Sequence, residues 1–348
     1  MLTAHPTSNN LVAIGKIITF LSRYLLQLTF IPVVKIIIMK ASTSRAKLHP
    51  RNQHLNGYDL DLLTEQHPAL SAFIITTPAG TKSIDFSDNK AVKTLNQALL
   101  KAHYNVDFWD IPQHNLCPPI PGRVDYIHYL ADLLADDNQT QIPTGRQVKV
   151  LDIGTGANLV YPLTGGHEYN WHFTGTDIDP AAIKVAKQIA QFNNLKITLK
   201  QQKNAANIFK GVINSKDLYH LTLCNPPFHA SSEDAVKGSE RKWKNLGKAP
   251  SSTLNFGGQN NELWCEGGEV QFISNMIKES AAVAEQVMWF TSLVSKKDNI
   301  AALEQELKQH PIAQYKIVDM AQGQKVSRFI AWSYFDKATR EQICEELE

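Results

Sequence analysis

Little in this sequence points to metal or disulfide chemistry. Its four cysteines, Cys117, Cys224, Cys265 and Cys344, lie far apart and form no CxxC pair. That excludes a zinc ribbon or a disulfide framework and suits a reducing cytoplasm. The twelve histidines contain no HExxH, so no metal is expected. Net charge is scarce too: 35 Lys+Arg against 33 Asp+Glu leaves +2, so the chain is no basic coat for nucleic acid and any such surface must be local. Long uncharged apolar runs are also missing. Residues 11–39 are strongly apolar, but Lys16, Arg23 and Lys35 interrupt them, and the longest uncharged run is eleven residues. A bilayer span needs roughly 18 to 20. No A-x-A cleavage site follows, so a secretory signal fits poorly, and no stable membrane association is expected.

What is present is a globular composition, with 43% hydrophobic and 20% charged residues, and a length of 348 that suggests about two domains. Residues 1–38 stand apart. They read either as an interfacial amphipathic helix, broken at Pro32, or as an over-extended gene model with Met39 as the translation start. From 55 to 135 the chain reads as mainly helical. Ser87-Asp88 precede an apolar stripe of Val92, Leu95, Leu99 and Leu100. The stretch 117–122, rich in proline, reads as an extended linker before helical periodicity resumes at Arg123. Polar, turn-rich residues 136–146 mark the best boundary. This divides the chain into an apolar extension (1–38), a helical cap region with an RNA-binding role (39–140) and a catalytic domain (141–348).

After that boundary, strands alternate with helices. Strand candidates are 147–154, 172–178, 197–202, 219–224, 286–294, 312–320 and 328–335, with helices notably over 180–193 and 269–284. The pattern predicts an α/β fold: a doubly wound, Rossmann-like, mainly parallel sheet of seven strands. The last two strands are joined too briefly for a helical crossover and should be antiparallel.

Such sheets bind ligands beyond the carboxyl ends of their strands. The first strand ends in Asp152-Ile153-Gly154-Thr155-Gly156-Ala157-Asn158, where Gly154 and Gly156 allow a tight turn and close approach of a ligand. The second ends in Asp177, an acid placed to accept hydrogen bonds from a ribose diol. A dinucleotide fingerprint would need a third glycine where Leu159 stands. An acid at the strand end would also repel a pyrophosphate. S-adenosyl-L-methionine carries no phosphate, and its sulfonium and amino group favour nearby carboxylates. The methyl donor is therefore the expected cofactor, in a class I methyltransferase sheet.

The fourth strand runs into Asn225-Pro226-Pro227-Phe228. An exocyclic amine on a base is a poor nucleophile because its lone pair is delocalised into the ring. Two acceptors aimed at its hydrogens, the Asn225 side-chain oxygen and the Pro226 carbonyl, can draw the nitrogen towards tetrahedral geometry. Both prolines fix φ and lack an N–H, so the carbonyls are held rigid. Phe228 offers a stacking face. Catalysis is then positioning and dipoles.

From 49 to 335 the chain resembles the bacterial 23S ribosomal RNA adenine-N6-methyltransferases that modify adenine 1618, relatives of the animal methyltransferase-like 16 enzymes. The stretches that carry this are HPRNQH (49–54), SIDFSD and AVKTLNQALL (within 83–100), DIP (110–112), PPIPGRVDYIHYLADLL (118–134), DIGTGAN, NPPF, GGQNNELWCEGGE (257–269) and RFIAWSYF. NPPF is shared with guanine-N2 and glutamine methyltransferases, whereas HPRN and PPIPGR are more specific. The resemblance implies a donor pocket of Arg123, Gly154, Asp177, Asn204 and Asn225, with Arg123 as a guanidinium fork for the methionine carboxylate. It further implies a cytoplasmic enzyme acting on 23S ribosomal RNA or a large-subunit assembly intermediate.

Two basic clusters are candidates for phosphate contacts. One holds Arg45, Lys47 and Arg51, with Lys40 alongside. The other follows NPPF and holds Lys237, Arg241, Lys242, Lys244 and Lys248, opposed only by Glu240. A base must leave its stack to reach NPPF, and flanking phosphates then need a holder. A solvated loop, a guanine-N2 or glutamine methyltransferase, and an inactive RNA-binding module are the competing readings.

Overall fold

A computed structural model of the chain describes residues 37–39, 48–113, 115–231, 233, 260–322 and 325–346. The seven expected strands all form, each within three residues of the range read from sequence. They are β4 (Lys149–Ile153), β5 (His172–Asp177), β6 (Thr198–Gln201), β7 (Tyr219–Cys224), β8 (Val287–Val294), β9 (Gln314–Gln322) and β10 (Lys325–Ser333). An eighth, β1 (Ile37–Met39), pairs parallel with β9 at the edge, setting Ile38 against Ile317. The end of the apolar extension thus reaches the sheet, which the sequence did not suggest.

The sheet order is β1-β9-β10-β8-β7-β4-β5-β6. From β6 to β8 the strands are parallel, and β10 runs antiparallel to both β8 and β9. Only residues 323–324 separate β9 from β10, which suits a hairpin and rules out a crossover. Every residue of β7 is buried, as expected of a central parallel strand covered on both faces. The chain leaves β4 for β5 and β6 and then returns to the other side of β4 as β7. That reversal places the topological switch point between the carboxyl ends of β4 and β7.

Residues 60–135 supply α1 (Leu60–Gln66), a short hairpin of β2 (Ile74–Thr76) and β3 (Lys82–Ile84), α2 (Asn89–Tyr104) and α3 (Ile120–Ala135). Asp88 caps α2 by accepting from the Lys90 N–H at 2.8 Å. The hairpin was not foreseen; it turns at Thr77–Gly80, where Gly80 has φ +77°. The linker expected over 117–122 is also shorter than predicted. Helix α3 begins at Ile120 and takes Pro121 and Gly122 into its first turn, where no backbone N–H is needed and proline is tolerated.

Beyond these come α4 (Val160–Tyr169), α5 (Pro180–Phe192), α6 (Asn260–Leu263), α7 (Gly268–Ser280), α8 (Ile300–Leu307) and α9 (Lys337–Glu345). The α7 helix ends at Ser280 and continues as a tighter 3₁₀ turn to Gln286, so the helix read over 269–284 changes type at its end. One hydrophobic core runs from Leu95 and Leu99 of α2, through Val124 and Ile127 of α3, to Phe173, Leu221 and Trp289 in the sheet. The turn after α3 is tied to α9 by a buried ion pair. Arg340 Nε lies 2.9 Å from Asp137 Oδ2, and both side chains are at most 2% exposed. Trp289 Nε1 donates to the same oxygen at 2.7 Å, and the Arg340 guanidinium lies 4.4 Å from that indole's centroid.

Candidate active site at the switch point

At the end of β4 the backbone turns through Gly154 (φ +70°) and Gly156 (φ +64°) before α4 starts. A Cβ on Gly154 would meet nothing within 4 Å, so the backbone there is open to close approach. A Cβ on Gly156 would sit 3.1 Å from Asn158 Nδ2. The turn is anchored from β5. Asp177 Oδ2 accepts from the Gly156 N–H at 3.0 Å, and its Oδ1 accepts from the Asp179 N–H at 2.9 Å. Burial raises the Asp177 pKa, and these two N–H groups pull it back. Each oxygen keeps a lone pair for a ribose hydroxyl.

Asp152 lies beneath the same turn and is fully buried. Neither carboxylate oxygen has a hydrogen-bond partner among the described residues. Burial pushes its pKa up to about 7. The nearby Thr155 hydroxyl lowers it without reaching hydrogen-bond geometry, Asp177 raises it further, and Arg123 lowers it. A buried carboxylate without a partner is costly unless a cation completes it. The sulfonium and ammonium of S-adenosylmethionine supply such a cation, and a pyrophosphate does not.

Across the switch point, β7 ends in Asn225-Pro226-Pro227-Phe228. Pro226 is buried, while Asn225 and Phe228 are half-buried. The segment is braced by main-chain bonds to the stretch after α6: the His229 N–H donates to the Leu263 carbonyl, and the Cys265 N–H to the His229 carbonyl, both at 3.1 Å. The Phe228 ring stands 4.6 Å from that of His229. Burial drives the Cys224 thiol well above its ordinary pKa, which makes it a poor nucleophile.

Arg123 reaches this point from the first turn of α3. Its Nη1 donates to Asn225 Oδ1 at 2.9 Å and to the Tyr161 hydroxyl at 3.1 Å. Burial first of all raises Tyr161 to about 12, so its hydroxyl is a neutral partner. Among the described residues, no protein partner holds Arg123 Nε or Nη2. That edge of the guanidinium is the one suited to a carboxylate fork. The position of α3 is set in turn by the HPRN motif. Asn52 Nδ2 donates to the Pro121 carbonyl at 2.9 Å and to Asp125 Oδ1 at 3.0 Å, and the His49 N–H donates to the same Asp125 oxygen at 2.6 Å.

The structure therefore brings Arg123, Asp152, Gly154, Gly156, Asp177 and Asn225 together at one switch point. Asn204 is exposed in the turn after β6, two residues beyond Gln202, whose N–H donates to the Asp177 carbonyl at 2.9 Å, and its own Oδ1 accepts from the Ala206 N–H at 3.0 Å. The Arg51 guanidinium donates to Asp132 Oδ1 (2.7 Å), the His128 carbonyl (2.9 Å) and the Tyr169 hydroxyl (3.0 Å), so it staples the cap. Arg45, Lys47, Lys237, Arg241, Lys242, Lys244 and Lys248 lie outside the described residues. Sequence reasoning missed Tyr161 and two others. Asn158 Oδ1 accepts from the Val160 N–H ahead of α4 at 3.1 Å, and its carbonyl accepts from Trp109 Nε1 at 2.8 Å. Glu262 accepts from the Leu116 N–H at 3.2 Å while its other oxygen lies beside Gly156.

The chain as a whole is similar to known proteins. A protein of Pseudomonas putida (strain GB-1) named ribosomal RNA large subunit methyltransferase F is 54% identical over 304 residues, which cover 86% of this chain and 96% of that one. A protein of the same name from Desulfotalea psychrophila is 56% identical over 302 residues, covering 85% and 97%. Among solved structures, the catalytic domain of human Mettl16 bound to a MAT2A 3′UTR hairpin superposes with a TM-score of 0.71 at 29% identity, covering 83% of this chain and 96% of that one. The N-terminal domain of human METTL16 in complex with SAH gives 0.66 at 26% identity, covering 83% and 99%. The RNA methyltransferase family matches residues 42–336, and the chain belongs to it.

Proposed function

We propose that this chain methylates the N6 amine of an adenine in 23S ribosomal RNA, the one at position 1618 by resemblance, with S-adenosylmethionine as donor. The observation that carries the reading is the placement of NPPF at the end of β7, directly across the switch point from the DIGTG turn. When bound, S-adenosylmethionine supplies an electrophilic methyl group, which the amine nitrogen takes in line as the S–C bond breaks and the N–C bond forms. Asp152 faces the donor's positive charge, Asp177 its ribose, and the Arg123 fork its carboxylate. Gly154 and Gly156 let the backbone come close. Asn204 is assigned to the adenine of the donor.

On the RNA side, Asn225 Oδ1 and the Pro226 carbonyl accept the two amine hydrogens, and Pro227 keeps that backbone rigid. The Phe228 face stacks on the flipped base, worth roughly 1–3 kcal/mol. No buried base is required, since the alkylated nitrogen readily loses its proton to water. Phosphates on either side are assigned to Arg45, Lys47, Lys237, Arg241, Lys242, Lys244 and Lys248. Among the described residues no helix is long and apolar enough to cross a membrane. A ribosomal RNA substrate supports a cytoplasmic enzyme. Relatives named for large-subunit ribosomal RNA favour this substrate over a protein glutamine. The test is tritium transfer to 23S RNA from a strain lacking the modification, as naked RNA and as an assembly intermediate, mapped to one nucleotide. Label on a guanine N2 or on protein would overturn the proposal.

A further inference from the structure

The amine clamp depends on which way the Asn225 side chain points. An amide's oxygen and nitrogen are nearly the same size, so packing alone does not choose between them. The wrong choice is costly, because an NH₂ group turned to the substrate would set donor against donor. A neighbour that can only donate resolves the choice. Arg123 is such a neighbour, with five N–H groups and no acceptor. Its Nη1 lies 2.9 Å from Asn225 Oδ1.

We infer that Arg123 is a positioning residue for methyl transfer: it locks Asn225 with Oδ1 towards the substrate while its opposite edge holds the donor's carboxylate. The geometry allows both at once. The two Nη1 hydrogens go to Asn225 and Tyr161, and among the described residues Nε with Nη2 remains as a bidentate edge. An sp² oxygen has two lone pairs, so Oδ1 accepts from Arg123 and from the base amine together. Tyr161 fixes the guanidinium plane, with the Arg123 Cζ 5.8 Å from its ring centroid. One rigid cation thereby joins the donor site to the acceptor site. A lysine, with a single ammonium, cannot hold both edges.

This rests on the assignment of Asn225 to the substrate amine, and a double-mutant cycle separates the two claims. Single-turnover transfer to RNA is measured at saturating donor, with donor affinity determined by calorimetry for each variant. Arg123→Met should weaken donor binding and, at saturation, still slow transfer about tenfold, the factor given by losing one orienting hydrogen bond. In the Asn225→Ala background there is no amide to orient, so the same change should slow transfer less than about twofold. An equal factor in both backgrounds would overturn the lock and leave Arg123 as a donor ligand only. If Arg123→Met does not fold, Arg123→Lys enters the same cycle under the same criterion, with about a threefold loss expected that vanishes with Asn225→Ala. If Asn225→Ala alone leaves transfer within threefold of wild type, the amine assignment itself fails, which is a distinct result.

Discussion

Asp152 makes donor binding and fold stability respond to pH in opposite directions. Burial pushes its pKa up from an ordinary value of 3.8 to about 7. That difference corresponds to roughly 4 kcal/mol against the ionised form. Because the folded pKa is raised, the stability linked to this group is fully present below about pH 4 and is lost as pH rises towards 7. A positively charged donor reverses the preference, since it needs the carboxylate ionised. Donor affinity should therefore fall below pH 7, approaching about tenfold per pH unit well below it, and level off above pH 8. Calorimetric titration of S-adenosylmethionine at pH 6, 7 and 8 measures this. The donor's own amine titrates near 8, so the informative quantity is the ratio of wild type to Asp152→Asn at each pH. That ratio should grow about fivefold from pH 6 to pH 7 and only about twofold more from pH 7 to pH 8. The variant should bind donor weakly yet, with the buried charge removed, melt at a higher temperature than wild type at pH 8 without donor. A ratio that does not change with pH would refute the reasoning, because it would mean that Asp152 never meets the donor's charge.

Asn225→Ala should cut methyl transfer about 100-fold while changing donor affinity little, the scale of removing one preorganised dipole; turnover within threefold of wild type would remove its assigned role. Asp177→Asn leaves one oxygen for two backbone donors, so it should weaken donor binding by about 1.5–3 kcal/mol in calorimetry, and an unchanged affinity would move the ribose site elsewhere. Asp137→Ala should destabilise the fold by about 3–5 kcal/mol in denaturant titration, because Arg340 would be left as an uncompensated buried charge. Replacing Arg241, Lys242 and Lys244 with Ala should make the slope of log RNA affinity against log salt shallower by roughly 2, with donor binding intact; a wild-type slope would leave that loop without phosphate contacts.

The strands were legible because each is a short β-branched or aromatic run between polar helical segments. The antiparallel direction of the last pair followed from its short connection. The candidate donor turn and the NPPF motif could be read because much of their chemistry is local, with several of the proposed contact atoms held by a few consecutive residues. Where proline and glycine had to be interpreted, the reading went astray in one direction. The PPIPGR stretch looked like a helix breaker, but Pro121 falls in the one turn of a helix that tolerates it. The β2–β3 hairpin carried a readable Pro78–Gly80 turn signal, but its strands of three residues are too short to show alternation. Tertiary partnership left no local trace. Arg51 looked like part of a basic cluster because its partners, Asp132 and Tyr169, lie 81 and 118 residues away. Tyr161 sits in an apolar helical stretch and reads as core, and only the fold sets its hydroxyl against Arg123.

The same long-range logic explains why the most distinctive stretch of the sequence lies so far in the chain from the chemistry. HPRN contributes no atom to either the donor turn or the NPPF clamp. His49 and Asn52 converge on Asp125 Oδ1, and Asn52 also holds the Pro121 carbonyl. Those bonds fix the first turn of α3 at a point where its backbone would otherwise begin unsupported, since Pro119 offers no side-chain cap. Arg123 follows two residues after Pro121, so its guanidinium inherits that placement. A shift of about 1 Å there would break the contact with Asn225, and misplacements of that size cost roughly 100-fold in rate in catalytic sites. The helical cap is therefore part of the site's architecture. Through α3 it carries Arg123, which bonds both Asn225 after β7 and Tyr161 of α4, and the hydrogen bonds of HPRN hold that side chain in register with the sheet.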